Sequence, residues 1–175
     1  MKHNLNNGYV LSEAIVAMGL ITVGILGLSG LLARSIHEGR YIADKITAVN
    51  LAGEGIEIAR NILDSNALRP IPRGPWNDGF NTPGFFEVDF RSASLGNLVL
   101  PPSPLPDNLR FLRQEQIGEA IFYSYAVGGV PTSFRRSVQI EPGPNQIRAT
   151  ARVFWTARDG RLNEVVITSD FYNWR

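Results

Sequence analysis

The first part of the chain has the pattern of one long helix. Residues 9–33 form an apolar run in which Glu13 is the only charged side chain. Beyond this run, apolar positions recur mostly at steps of three and four, which predicts an amphipathic helix through residue 66. That predicted stripe comprises Ile42, Ile46, Val49, Gly53, Ile56 and Leu63. All 11 prolines lie at Pro70 or later, so none interrupts the helix.

The remaining residues, 67–175, have the pattern of a β-sheet head. Three strand-like runs at 134–141, 146–156 and 162–171 are separated by turn sequences and predict a three-stranded antiparallel meander within 132–175. The middle run places apolar side chains on one face, namely Ile147, Ala149, Ala151, Val153 and Trp155. The Pro- and Gly-rich stretch 67–131 predicts loops with one or two short strands. We therefore expect an α+β fold, with the helix packed against the sheet.

Residues 9–33 are long enough to span a membrane. At ~1.5 Å per residue they extend roughly 37 Å, against about 30 Å of hydrocarbon. We therefore expect a transmembrane half at 9–33 and an amphipathic half at 34–66. A secretory signal peptide is disfavoured, since its apolar region would be shorter and would end in a small-x-small cleavage site. A plain membrane anchor would leave Glu13 unexplained, because a carboxylate within a span costs about 2.5–3.5 kcal/mol.

The composition removes most enzyme classes. The 175 residues include no cysteine and only two histidines, His3 and His37. Disulfides, thiolate metal sites and cysteine nucleophiles are thereby excluded, and histidine-based catalysis is disfavoured. No phosphate-binding, nucleotide-binding or hydrolase motif occurs, and the loop acids lack calcium-loop spacing. We expect a non-enzymatic protein without a cofactor or metal, whose loop acids are solvated; these acids are Asp64, Asp78, Asp107 and Glu115.

Arginines are frequent on the predicted sheet. They include the pair Arg135 and Arg136, followed by Arg148, Arg152, Arg158 and Arg161. The favoured interpretation is cross-strand pairing with Glu141, Asp159 and Glu164. A basic surface for nucleic acid is the alternative, which the net charge of +1 does not support.

The N-terminus resembles type IV pilins and pseudopilins. A short basic leader, MKHNLNNG, ends at Gly8; Tyr9 follows, and Glu13 stands fifth after the leader. The stretch AVNLAGEGIEIARNI (48–62) is also similar to the helix of minor pilins and secretion pseudopilins. The resemblance implies that residues 1–8 are a leader cut after Gly8 by prepilin peptidase. It also implies that Tyr9 is the N-methylated mature terminus, and that Glu13 attracts the terminal amine of a neighbouring subunit.

This resemblance implies a structural subunit of a type IV pilus or of a related type II secretion or competence filament. Its partners would be other pilin subunits and the prepilin peptidase. It would be a single-pass inner-membrane protein with its head outside the cytoplasm, later built into a filament. Two features depart from the family: no disulfide closes the C-terminal edge, and glycines at 24, 27 and 30 replace a proline. We expect Phe171, Tyr172 and Trp174 to hold that edge by packing.

One alternative comes from a different functional class. The same features are compatible with a binding module on a permanent membrane anchor, such as an adhesin or a DNA-receptor head that never polymerises.

Overall fold

The computed structural model describes residues 6–69, 74–95, 99–100 and 106–173, with the backbone alone at 6–8 and 99–100. The chain divides into two units, Met1–Ala43 and Asp44–Arg175. Helix α1 (Asn6–Leu68) contributes to both. In the second unit it packs against an antiparallel sheet formed by the C-terminal part of the chain, so the predicted α+β fold is confirmed.

Seven strands form the sheet. They are β1 (Gly84–Phe86), β2 (Val99–Leu100), β3 (Phe111–Ile117), β4 (Ala120–Ser124), β5 (Val130–Pro142), β6 (Gln146–Thr156) and β7 (Leu162–Tyr172). β5 lies at the centre: one side pairs with β6 along its length, and the other pairs with β3 near its start and with β1 near its end. β7 pairs with β6 across 11 residue pairs, from Gln146↔Tyr172 to Thr156↔Leu162. β5, β6 and β7 form a meander that contains the three strand-like runs of the sequence.

The segment 67–131 contains more strand than the sequence predicted. Instead of one or two short strands, its described residues form four, β1 to β4. The hairpin of β3 and β4 was missed because both strands carry mixed polar and apolar side chains without alternation. The hairpin turns at Gly118, whose φ of 64° is readily adopted only by glycine.

The helix face that packs on the sheet differs from the predicted stripe. Ile56 and Leu63 are buried as expected, but Ile42, Ile46 and Val49 remain 55%, 57% and 41% exposed. The buried face instead combines three alanines with leucines and isoleucines; its residues are Ala48, Leu51, Ala52, Ile56, Ile58, Ala59, Ile62 and Leu63. Small residues let the helix approach the sheet closely, and a pattern read from large aliphatic residues does not detect them.

On the sheet side, the core is formed by the inner faces of β5 and β6. The predicted inner face of β6 is confirmed, because all five of its residues are at most 2% exposed. Val138 and Ile140 of β5 are fully buried beside them. Each such aliphatic side chain contributes about 1.5–3 kcal/mol through burial. At the C-terminal edge Phe171 is buried and Tyr172 is half exposed, while Trp174 lies outside the described residues.

The end of α1 is fixed by a buried amide. The helix extends two residues past Asn66 to Leu68, and Asn66 itself is 2% exposed. Its Nδ2 donates hydrogen bonds to the carbonyl oxygens of Trp76 and Asp78, at 3.3 and 2.8 Å. Asn66 therefore anchors the following loop to the end of the helix.

A buried arginine joins the helix to the sheet. Arg136 of β5 is fully buried, and its two terminal nitrogens donate to the carbonyl oxygens of Leu51 at 2.8 Å and Val88 at 2.6 Å. Its nearest acid is Glu54, at 3.4 Å. A Cβ at Gly55 would lie 3.1 Å from the Arg136 side chain, so a glycine here leaves room for the guanidinium. The expectation that Arg136 lies on the exposed sheet face with the other arginines is therefore wrong, because Arg136 lies in the core.

Further polar contacts support the same region. The Tyr125 hydroxyl donates to the Arg136 carbonyl oxygen at 3.0 Å, and burial raises the pKa of that hydroxyl above its usual value. The Arg110 guanidinium lies 4.7 Å from the centre of the Tyr125 ring. Arg110 also donates through its Nε to the buried Glu87 carboxylate at 2.6 Å. The buried Glu87 carboxylate is therefore neutralised by Arg110, which also contacts the Tyr125 ring.

Replacing Arg136 tests how far the fold depends on this contact. We expect Arg136→Ala to lower the free energy of unfolding by about 3 kcal/mol, because it leaves buried carbonyls unsatisfied and opens a cavity. The matched control is Arg152→Ala, which removes the exposed ion pair with Glu164 and should lower the free energy of unfolding by less than about 1 kcal/mol. Urea denaturation of the full chain in detergent, followed by tryptophan fluorescence, measures both. Equal losses in the two variants would contradict this role.

Candidate functional site

The N-terminal half of α1 carries its apolar side chains on every side. From Tyr9 to Ala43 every residue is exposed, including Leu20, Ile21 and Leu28 at 60–70%. A helix that is apolar all round is stable only inside a protein or a membrane. This is the one helix among the described residues that is long and apolar enough to cross a bilayer.

Gly8, Tyr9 and Glu13 all lie in the first turns of α1. The backbone is helical on both sides of the Gly8–Tyr9 bond. Tyr9 is 81% exposed, and the Ser12 hydroxyl donates to its carbonyl oxygen at 2.9 Å. Because Glu13 follows Tyr9 by four residues, the two lie on the same face of the helix. The three positions that the resemblance singled out are therefore brought together at one end of the apolar segment.

Glu13 is a carboxylate on an otherwise apolar surface. It is exposed, and it has no ion pair or hydrogen bond with any described residue. Val16, Ala17 and Leu20 lie next to it along the same face. Inside a bilayer such a group needs a cation or a hydrogen-bond donor from another molecule. The arrangement is suited to capturing a positively charged group that enters the apolar layer.

The glycines of the apolar segment leave open surface on the helix. Gly19, Gly24, Gly27 and Gly30 are helical, and a Cβ built at any of them meets nothing within 4 Å. Small residues on a membrane helix let a second helix approach closely. The segment ends at a charged stretch, where Arg34 pairs with Glu38 at 2.9 Å.

The arginines of the sheet are largely neutralised by acids. Arg152 of β6 pairs with Glu164 of β7 at 2.9 Å, as the sequence interpretation favoured, whereas Arg161 pairs with Asp159 at 3.3 Å within the β6–β7 turn. Glu141 instead accepts a hydrogen bond from Gln139. Two further pairs were missed, Arg135 with Asp107 and Arg148 with Asp170. The β6–β7 register places Arg148 opposite Asp170, which only the strand alignment reveals.

The ion pair between Arg148 of β6 and Asp170 of β7 also shifts the pKa values of both groups. Both oxygens of Asp170 accept hydrogen bonds from Arg148, at 2.8 and 3.2 Å. These hydrogen bonds lower the pKa of Asp170 and raise that of Arg148. Most arginines of the meander are thus ion-paired, whereas Arg158, in the β6–β7 turn, is exposed and forms no ion pair with a described residue.

Most of the loop acids considered as calcium ligands are engaged by arginine. Asp78 pairs with Arg69, Asp107 with Arg135 and Glu115 with Arg91. Asp64 lies within α1 rather than on a loop, contrary to the sequence interpretation. Within the described ranges, no group of three histidine or acidic side chains is placed to hold a metal ion.

No family model matches this chain, and no curated protein or solved structure shows significant similarity to it.

Charge placed at the centre of the apolar segment tests whether it spans a bilayer. Each arginine there costs about 2.5–3.5 kcal/mol, so the double variant Ile21→Arg, Ile25→Arg should lose membrane retention. The control, Ile36→Arg, adds a charge beyond the predicted span and should remain in the membrane. Fractionation with an alkaline carbonate wash measures retention. If the double variant is retained as well as the control, the segment does not span the bilayer.

Proposed function

We propose that this chain is a structural subunit, a minor pilin or pseudopilin, of a type IV pilus or a related secretion or competence filament. The observation that carries the proposal is Glu13, a carboxylate that pairs with no described residue, on an exposed apolar helix four residues after Tyr9. Gly8 immediately precedes that tyrosine and ends a short polar leader. The subunit is a substrate of processing and assembly and catalyses neither.

The proposed assembly step follows from elementary electrostatics. Cleavage after Gly8 creates a cationic amine at Tyr9. Within one subunit, the amine and Glu13 lie near the headgroups, where water weakens their attraction. Between axially displaced subunits, the amine of one meets the carboxylate of another among apolar helices, where the attraction is several times stronger. An incorrect register leaves Glu13 buried and unpaired, so the pair both attracts and selects the register.

Exposed apolar residues beyond the span support lateral packing of the helix. Ile46 and Val49 belong to the head unit, yet they are 57% and 41% exposed on the side of α1 that does not face the sheet. A helix that remained alone above the membrane would expose these side chains to water. Packing against neighbouring helices in a filament would bury them.

The alternative is a permanently anchored binding module. For a nucleic-acid receptor it would need a free basic face, whereas the arginines on the outer face of the meander have acidic partners. We therefore favour the filament subunit. The following two experiments also separate the two functions, because a permanent anchor needs neither leader removal nor Glu13.

Processing is tested at the leader. We expect Gly8→Ala to block cleavage, so that the membrane fraction contains the chain with residues 1–8 retained. The wild-type chain, and a Gly19→Ala control with an equivalent change inside the span, should yield a mature mass that begins at an N-methylated Tyr9. Intact-mass measurement distinguishes the products. A wild-type mass that begins at Met1 would overturn the proposal.

Assembly is tested at the carboxylate. We expect Glu13→Ala to permit cleavage and membrane insertion but to reduce incorporation into filaments at least tenfold, because the register-selecting ion pair is lost. Glu38→Ala removes an acid from the same helix, beyond the span, and should incorporate normally. Quantification of each variant in sheared filament preparations gives the result. Equal incorporation of Glu13→Ala and the control would show that Glu13 does not direct assembly.

A further inference from the structure

A cavity of about 310 Å³ lies at the C-terminal end of α1, within the head unit. The last turns of the helix form one wall, the loop at Trp76 a second, and the end of β7 a third. Its main lining residues are Arg60, Asp64, Trp76, Asp170, Phe171 and Tyr172. This volume falls at the lower end of the range for small-molecule sites, and aromatic walls with a few polar groups are typical of them.

The charges around the cavity favour a cation. Its lining contains two carboxylates and one guanidinium, so its formal charge is negative. Asp170 is satisfied by Arg148, and Arg60 by Glu57 at 3.3 Å. Asp64 forms no ion pair or hydrogen bond with any residue that the structure describes. It is the carboxylate of the cavity that remains available.

The C-terminal end of α1 adds to the negative electrostatic potential of the cavity. The last turn of α1 contains no basic residue, and Arg69, which directly follows the helix, pairs with Asp78 at 2.6 Å. The carbonyl groups at a helix C-terminus carry a partial negative charge that a nearby cation stabilises. The cavity opens beside this terminus, between Asp64 and Ala67 on the helix and Tyr172 on β7.

The aromatic walls suit a cation that carries apolar groups. The Arg60 guanidinium already lies 5.7 Å from the centre of the Phe171 ring, so one cation–π contact is formed in this wall. Trp76 is partly buried against the core and presents an indole, the ring that binds cations best. A hydrated metal ion would gain little from these rings, whereas an alkylammonium group would contact both the rings and the carboxylate.

We propose that this cavity binds an organic ammonium group, with Asp64 as its counter-ion and Trp76 as its aromatic wall. The ammonium is supplied either by a small quaternary or primary amine or by a lysine side chain of a partner protein. The inference concerns the head alone and does not depend on filament assembly.

The test uses the full chain in a maltoside detergent, because detergents with choline headgroups would occupy the cavity. Choline, butylammonium and Nα-acetyl-lysine methylamide are titrated and followed by ligand-observed NMR. The neutral control is 3,3-dimethyl-1-butanol, which has the shape of choline without its charge. We expect saturable binding of the ammonium probes, weakened by salt, and no saturable binding of the neutral isostere. Tighter binding of choline indicates a small amine, and tighter binding of the lysine derivative indicates a partner protein.

Matched variants connect the binding to the cavity. Asp64→Asn should weaken binding about fivefold, and Trp76→Leu about threefold or more. Glu119→Gln makes the same acid-to-amide change on the exposed β3–β4 turn and should leave the affinity unchanged. Asp64→Lys supplies its own cation and should abolish binding. Near-ultraviolet circular dichroism verifies that each variant is folded. Absent binding, equal binding of the neutral isostere, or equal effects of Asp64→Asn and Glu119→Gln would overturn the proposal.

Discussion

The head is organised around a guanidinium that cannot lose its charge. Arg136 of β5 is fully buried, and its two terminal nitrogens donate to the backbone carbonyls of Leu51 on the helix and Val88 after β1. These bonds hold the helix at one position along the sheet, which apolar packing alone does not specify. The close approach also requires Gly55. Register along the helix therefore depends on one polar contact, while apolar burial provides most of the stabilising free energy.

The two parts of α1 differ in which of their faces are apolar. In the first unit, every residue from Tyr9 onward is exposed, and residues 9–33 are nearly all apolar, so this segment requires a membrane or other helices. In the head unit, only one face is buried, and it is lined by Ala48, Ala52 and Ala59. Ile46 and Val49 nevertheless stay exposed on another side. The surface available to partners is thus not confined to the predicted span.

Features that depend on periodicity could be predicted from the sequence, and features that depend on pairing could not. The length of the apolar run and the alternation in β6 fix the helix and the inner face of the meander. The face of α1 was misassigned because the buried face mixes alanines with large residues, whereas the exposed Ile42, Ile46 and Val49 also recur at helical spacing. β3 and β4 were missed because their residues do not alternate. The turn at Gly118 and the pairing of β3 with β5 define this hairpin, and neither can be seen in the sequence pattern. Arg136 was recoverable in part, since it alternates with Phe134 and Val138 on the inward side of its strand. Spacing in the sequence is enough to single out Gly8, Tyr9 and Glu13. The cavity beside Asp64 could not be predicted, because its walls come from separate parts of the chain that meet only in the fold.

The acidic side chains of this chain differ in whether an arginine pairs with them. On the sheet and its loops, Glu87, Asp107, Glu164 and Asp170 each accept from an arginine, so their charges are used within the chain. Glu13 and Asp64 have no such partner among the described residues. Glu13 lies in an apolar layer, where an unpaired charge is costly, and Asp64 lies beside aromatic rings at a helix C-terminus, where a cation is favoured. Each of the two carboxylates can therefore accept a cation that another molecule supplies. At both positions, charge is the property by which a binding partner would be selected.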